Sequence, residues 1–165
     1  MNVNNRREKI LVYVRGYRGT TFFSKAIRWI TRGEYTHNSL VFINGRHCVE
    51  LEAIEGKGVI KHYPNSPETH DFDEYTAPLD WEQSESAYLL PNELLGSGYD
   101  KLGIIGFLIH KKVHNPFKYF CSEYVAYILW KAGYPLSRRE PYRDTPASVC
   151  ESLRLLERVE PVGGA

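Results

Sequence analysis

The chain has 165 residues, which is the length of one ordinary domain with a complete hydrophobic core. Its 21 basic and 20 acidic residues leave a net charge of +1, without the strong basic excess that is typical of nucleic-acid-binding domains. With 42% hydrophobic and 25% charged residues, the composition also excludes wholesale disorder. We therefore expect one domain over residues 1–165, with flexible ends at 1–9 and 161–165 and no nucleic-acid partner.

The three cysteines, Cys48, Cys121 and Cys150, cannot all pair within one chain. An odd number favours a reducing compartment and at least one free thiol. The first apolar run, Ile10–Val14, is too short for a signal peptide, and the longest, Leu102–Ile109, is far below the ~20 residues of a membrane span. We expect a cytoplasmic protein without an integral membrane segment, for which access to a cell wall would need delivery by a phage or a secretion system.

The N-terminal half has the alternation and turn residues of an antiparallel sheet. We predict, in chain order, a strand at Ile10–Arg15, a helix that begins at Thr20 or Thr21 and ends near Thr31, strands at Thr36–Ile43 and Arg46–Ile54, and a fourth strand at Gly58–His62. In the helix, Ala26, Ile27 and Ile30 are expected to face the core. Pro64–Glu85 is expected to be a long surface loop or an ordered excursion over a cleft, and Ser86–Leu90 a short strand.

The C-terminal half is predicted to be helical, with helices at Tyr99–His110, Phe120–Ala132 and Thr145–Glu157. Gly133 directly after the second helix is typical of a helix C-terminus. Thr145 followed by proline is typical of a helix N-terminus. Sheet and helices together predict an α+β domain in which a small antiparallel sheet packs against the helices.

Asn44 and Gly45 separate two strand-like runs, and Asn-Gly is the strongest short-range signal for a hairpin turn. If these two residues form the turn, the numbers of paired residues add to 89, and His37 lies opposite Glu52. Directly opposed side chains have Cβ atoms ~4.5–5.5 Å apart, within reach of an imidazole–carboxylate hydrogen bond. Such a pair is the base and orienting half of a catalytic triad, or, without a nucleophile, a polar pair on a solvated face.

Cys121 is the candidate nucleophile because it falls in the first turn of a predicted helix. A thiol there is close to the positive end of the helix dipole, which lowers its pKa. The backbone amide of Cys121 or Ser122 could donate to a developing oxyanion. The alternative is a buried structural cysteine, and Cys48 and Cys150, which lie within a strand and a helix, are expected to be structural.

The order of these residues resembles a known family. His37 lies in YTHNSLVF, Glu52 in ELEAIEGKGV and Cys121 in FCSEYVAYILWKAGYPL. This arrangement resembles the circularly permuted papain-like proteins of the NlpC superfamily, in which the histidine strand precedes the cysteine helix, with the lecithin:retinol acyltransferase-like proteins as a related branch. Further similar segments are RGYRGTTFFSKAIRWITRG, GSGYDKLG and AGYPLSRREPYRDTP, so the resemblance extends over about Val12–Leu153.

The resemblance implies a papain-like fold in which the antiparallel sheet packs against the helix that carries the nucleophile. It implies Cys121 as nucleophile, His37 as base and Glu52 as the orienting residue, with Glu50 on the same face as the alternative. It also places Tyr99 where the family often has a tyrosine in the cleft, which could help to bind the oxyanion. The family pattern has small apolar residues after the histidine, whereas this chain has Asn-Ser-Leu.

The activity implied by the resemblance is that of a cysteine peptidase or amidase. Such an enzyme cleaves an amide bond through a thioester acyl-enzyme and needs no metal or organic cofactor. The implied substrate class is peptidoglycan peptides or a related bacterial amide. The same triad in a lipid esterase or acyltransferase is one alternative, and a non-catalytic module that binds cell-wall fragments or a partner is another.

A metal site is the remaining alternative, since histidine and cysteine are common ligands. The chain has no C-x-x-C spacing, and its one H-x-x-x-H spacing, His110 to His114, carries Lys111 where a metalloprotease has glutamate. The sequence therefore gives little support to a zinc site.

Overall fold

The computed structural model describes residues 9–64, 69–99 and 118–157. Its centre is a five-stranded antiparallel sheet with the order β4-β3-β2-β1-β5. The strands are β1 Leu11–Tyr17, β2 His37–Asn44, β3 His47–Ile54, β4 Gly58–His62 and β5 Phe72–Thr76. Two short strands, β6 Gly98–Tyr99 and β7 Lys118–Tyr119, form a separate parallel pair. The expected α+β class with an antiparallel sheet is confirmed.

The described residues form five α-helices, two of which begin after a threonine cap. They are α1 Phe22–Thr31, α2 Trp81–Leu89, α3 Pro91–Leu94, α4 Cys121–Lys131 and α5 Pro146–Glu157, with a 3₁₀ turn at Pro141–Arg143. The Thr21 side chain accepts a hydrogen bond from the Ser24 N–H, and the Thr145 hydroxyl accepts one from the Ser148 N–H at 2.9 Å. The predicted helices after Thr21, Phe120 and Thr145 are thus confirmed.

The stretch Pro64–Glu85 is not the long loop expected from its prolines. It contains β5, which pairs with β1 at the edge of the sheet, and the start of α2. The strand predicted at Ser86–Leu90 is wrong as well, because these residues continue and end α2. The overlooked signal is a capping box, in which Asp80 accepts from the Gln83 N–H and the Gln83 side chain accepts from the Asp80 N–H.

The predicted register of the β2–β3 hairpin is also wrong. Asn44 pairs with His47, so the numbers of paired residues add to 91 rather than 89. Gly45 and Arg46 form the two-residue turn, and Gly45 has a φ of +58°. Gly45 provides the positive φ that this turn needs at its first central position. Asn44 is not required in the turn and therefore remains in β2.

The core lies between one face of the sheet and two helices. Helix α4 packs against β2 and β3, and α5 packs against β1 and β5. The buried side chains that form this layer are mainly aliphatic and include Val12, Val14, Leu40, Phe42, Leu51, Ile128, Leu129, Val149 and Leu153. This packing fixes the first residue of α4 relative to the sheet.

Some predictions fall wholly or mostly outside the described residues. The predicted helix Tyr99–His110 lies outside the described residues except for Tyr99, which belongs to β6. The His110–His114 spacing and the flexible end 161–165 also lie outside them, as does nearly all of the flexible end 1–9. Within the described ranges, no helix is both long and apolar enough to cross a bilayer.

Gly58 starts β4 in a conformation that only glycine adopts readily. Its φ is +77°, and a Cβ atom there would lie 2.1 Å from the backbone oxygen of Ser97. We expect Gly58→Ala to lower the free energy of unfolding by about 2–3 kcal/mol, since backbone strain and a backbone contact combine. Urea denaturation followed by circular dichroism measures this loss.

The matched control is Gly56→Ala. Gly56 has a similar φ of +81°, but a Cβ atom there meets nothing within 4 Å. Only the strain remains, so we expect a loss of about 1 kcal/mol. Equal losses in the two variants would show that the Ser97 contact does not restrict Gly58.

Candidate active site

Cys121 is the first residue of α4 and is buried. Strand β7 leads into the helix through Phe120, whose backbone is extended and whose N–H donates to the Glu123 carboxylate at 3.4 Å. The first N–H groups of a helix have no partner within it and carry the positive end of the dipole. The fold therefore places the Cys121 sulfur where a thiolate is stabilised.

His37, the first residue of β2, contacts both other members of the predicted triad. Its Nε2 is hydrogen-bonded to Glu52 Oε2, and its ring is close enough to Cys121 for each group to shift the pKa of the other. Because Nε2 is engaged by the carboxylate, Nδ1 is the nitrogen left to face the sulfur. The ring also lies 5.6 Å, between centroids, from that of Tyr17, its neighbour in β1. The structure thus brings Cys121, His37 and Glu52 together.

His37 and Glu52 meet diagonally and not as a directly opposed pair. Continuing the observed register pairs Glu52 with Ser39, two residues from His37. A shift of two residues keeps each side chain on its original face of the sheet, whereas a shift of one would reverse it. Diagonal neighbours remain within reach of long side chains, so the contact forms despite the register error.

Glu50, the alternative to Glu52, belongs to a different group. It is fully buried, and three side chains donate to its carboxylate: Tyr17 Oη, Ser39 Oγ at 2.5 Å and Arg15 Nη1 at 3.2 Å. Arg15 also donates from Nε to Glu74 at 2.8 Å. These contacts place Glu50 in a buried ion-pair network, while Glu52 is the carboxylate on His37.

The electrostatics of the pair favour a thiolate and an imidazolium. Burial acts to lower the pKa of His37, but the charges and hydrogen bonds of Cys121 and Glu52 outweigh it and raise this pKa to about 10. Burial acts to raise the pKa of Cys121, but the charge and hydrogen bond of His37 and the backbone N–H groups of Asn38 and Ser122 lower it below the ordinary value. Such an ion pair is the reactive form of a catalytic cysteine.

His62, the last residue of β4, engages the second oxygen of Glu52. Its Nε2 lies 2.6 Å from Glu52 Oε1, and its Nδ1 lies 2.6 Å from the carbonyl oxygen of Tyr63. Both partners are acceptors, so His62 connects Glu52 to the backbone of Tyr63. Burial acts to raise the pKa of Glu52, but the hydrogen bonds and charges of His37 and His62 outweigh it and lower this pKa.

The sequence predicts a strand that ends at His62 but indicates no role for this residue. The signal that could have found it is the second hairpin, in which Ile54 pairs with Gly58 around a short turn that contains Gly56. Counting through that turn pairs position 50 with His62, which makes His62 a diagonal neighbour of Glu52.

The two residues predicted to bind the oxyanion have different positions. Tyr99 pairs with Tyr119 in the β6–β7 ladder, two residues before Cys121. Burial raises the pKa of the Tyr99 hydroxyl, and the nearby charges of Cys121 and Glu55 raise it further, so this hydroxyl is a protonated donor. The Ser122 hydroxyl donates to the Asp144 carbonyl oxygen at 2.7 Å, so only its backbone N–H faces the sulfur.

The other two cysteines lie in different surroundings. Cys150 is fully buried in α5, accepts a hydrogen bond from the Asn38 side chain at 3.2 Å, and has a pKa raised to about 12 by burial. Burial also raises the pKa of Cys48. The Asn38 side chain therefore points to α5 and away from His37, which explains how the Asn-Ser-Leu sequence fits beside the site.

Among the described residues, no group of three or more histidine, cysteine, aspartate or glutamate side chains is arranged to hold a metal ion. Comparison of the chain with protein-family models and with curated proteins finds no match.

Proposed function

We propose that this protein is a cysteine hydrolase that cleaves an amide bond through a thioester acyl-enzyme. One observation supports it above all: a thiol at a helix N-terminus lies beside a histidine that lowers its pKa and whose Nε2 is held by a carboxylate. This is the arrangement of nucleophile, base and orienting residue that acyl transfer requires. Burial of Cys121 and Glu52 keeps their interactions with His37 strong, because little water screens them.

Each residue has a role in the reaction. The Cys121 thiolate attacks the substrate carbonyl, and the resulting oxyanion is stabilised by the Ser122 backbone N–H with the Tyr99 hydroxyl as a second donor. The His37 imidazolium then protonates the leaving amine as the C–N bond breaks, which leaves a thioester. Neutral His37 next takes a proton from water, the hydroxyl adds to the thioester, and the thiolate is released with a carboxylic acid product.

Glu52 holds the His37 ring and stabilises its positive charge, and His62 in turn holds Glu52. The substrate class we propose, peptidoglycan peptides or a related bacterial amide, rests on the resemblance to the NlpC superfamily.

Alkylation of Cys121 by iodoacetamide at different pH values tests the proposed pair directly. Because the thiolate is the reacting species, the wild-type rate should change little between pH 6 and 8. In His37→Ala, the loss of the imidazolium should slow labelling at pH 6 by about 10- to 100-fold and restore the pH dependence of an ordinary thiol. Peptide mass spectrometry assigns each labelled site.

The variants Cys48→Ser and Cys150→Ser serve as matched controls. Neither thiol contributes to the pair with His37, so Cys121 should keep its wild-type labelling profile in both folded variants. If Cys121 labels slowly at pH 6 and is indifferent to His37→Ala, the proposed activity is wrong, and the domain is better explained as a binding module.

We expect His62→Leu to slow acylation of Cys121 by p-nitrophenyl acetate by about tenfold, as removal of a supporting partner does in other sites. Loss of the His62 charge and hydrogen bond raises the pKa of Glu52, so the acidic limb of the rate profile should move to higher pH. His62→Gln keeps one donor and should recover most of the rate. An unshifted acidic limb in a folded His62→Leu variant would limit His62 to a structural role.

A further inference from the structure

Helix α1 exposes large aromatic side chains that a core-packed helix would bury. Phe22 is 90% exposed and Trp29 is 82% exposed. They are seven residues apart, which is close to two helical turns, so they lie on the same side of the helix. Of the side chains described in α1, none is buried.

Ala26, Ile27 and Ile30, the residues expected to face the core, lie on the more covered side of α1. These three side chains are only partly buried, and α1 makes few contacts with the other described elements. On a helical wheel with 100° per residue they continue the apolar face on which Phe22 and Trp29 lie. Phe22 and Trp29 thus extend the apolar face of α1 beyond the part that the protein covers.

Cations lie beside these aromatic side chains on the exposed side of α1. Lys25 and Arg28 are exposed there, and Arg32 caps the C-terminus, while no acidic residue occurs between positions 18 and 33. Within the described residues, none of these three cations forms a salt bridge with a carboxylate. Arg28 donates to the Gly19 carbonyl oxygen at 3.1 Å, which leaves its charge uncompensated.

We propose that α1 docks on the surface of an anionic phospholipid bilayer. Phe22 and Trp29 would enter the boundary between headgroups and acyl chains, and Lys25 and Arg28 would contact the anionic headgroups. Exposed aromatic rings with exposed cations beside them, in a short helix without acidic residues, are features of helices that lie in a membrane interface. The positive charge is the complementarity that favours an anionic surface over a neutral one.

Docking of α1 would also orient the rest of the protein. Two hydrogen bonds join the two ends of the segment that carries α1. The Thr36 N–H donates to the Tyr17 carbonyl oxygen at 2.8 Å, and the Gly19 N–H donates to Thr36 Oγ1 at 2.9 Å. His37 is the next residue, so the segment that carries α1 ends at the base of the candidate site. The docking itself does not depend on the chemistry of Cys121.

Co-sedimentation with phospholipid vesicles tests the proposal with the full chain. We expect binding to vesicles of phosphatidylcholine with 30% phosphatidylglycerol and at least tenfold weaker binding to pure phosphatidylcholine vesicles, with a loss of binding as the salt concentration rises. Phe22→Ser/Trp29→Ser should weaken binding to the anionic vesicles by about tenfold or more. Lys25→Glu/Arg28→Glu should do the same, since two attractive charges become repulsive.

Two matched double variants control for general effects of polarity and charge. Leu89→Ser/Leu155→Ser removes two exposed apolar side chains from other helices, and Arg138→Glu/Arg139→Glu reverses two exposed charges elsewhere. Both should bind as the wild type does.

Absence of binding to anionic vesicles, or equal effects of the α1 and control variants, would overturn the proposal. So would a wild-type dimer without lipid that Phe22→Ser/Trp29→Ser converts to a monomer, because a second copy would then be the occupant of this face.

Discussion

Replacement of Arg15 by methionine is expected to lower the free energy of unfolding by about 3–5 kcal/mol, since it leaves an uncompensated buried charge. Arg15 is almost fully buried and donates to Glu50 at 3.2 Å and to Glu74 at 2.8 Å. Glu50 itself is completely inaccessible to solvent. Methionine retains much of the side-chain volume but has no donor for either carboxylate. Urea denaturation at pH 7, followed by circular dichroism, measures the loss.

The double variant Arg15→Met/Glu50→Met separates the lost charge pair from lost packing. When both charges are replaced by apolar groups of similar size, much of the stability should return. In the folded fraction of either variant, Cys121 should keep its rapid alkylation at pH 6, because the carboxylate on His37 is Glu52. A loss below 1 kcal/mol in Arg15→Met would show that the buried network contributes little to stability.

The contact between His37 and Glu52 could be predicted from the sequence although the register used to predict it was wrong. Which face of the sheet a side chain occupies depends only on whether the register is shifted by an odd or an even number of residues. The observed register differs from the predicted one by two residues. The position of Cys121 could be predicted for a similar reason. The start of α4 is set by local residues, with Glu123 engaging the N–H of Phe120.

The features that could not be predicted depend on contacts between distant parts of the chain. Strand β5 is short, and its pairing with β1 joins Phe72 to Tyr17 across more than fifty residues. Its alternation alone does not distinguish a sheet edge from a loop. The exposure of Trp29 was missed because an amphipathic pattern shows which side of a helix is apolar, but not whether anything covers that side.

Glu52→Gln is expected to slow acylation of Cys121 by p-nitrophenyl acetate by about 10²- to 10⁴-fold, as replacement of the orienting carboxylate does in other triads. The amide cannot compensate the positive charge of His37, and it can hold the ring in the wrong tautomer. The carboxylate also contributes to raising the pKa of His37 to about 10. Its loss should therefore lower that pKa and move the alkaline limb of the rate profile to lower pH. The nitrophenolate burst measures both effects, with Cys121→Ala as the background.

The matched control is Glu82→Gln, which removes an exposed carboxylate from the first turn of α2 and should leave the profile unchanged.

The alkaline limb of the rate profile distinguishes a role of Glu52 in orienting His37 from a role in folding. A Glu52→Gln variant that is merely less stable would lose active protein at every pH, because unfolding does not change the pKa of His37 in the molecules that remain folded. A shift of the limb to lower pH therefore requires the carboxylate to act on the imidazolium itself. A wild-type rate and an unmoved limb in the folded variant would exclude Glu52 from the triad and leave Cys121 and His37 as a dyad.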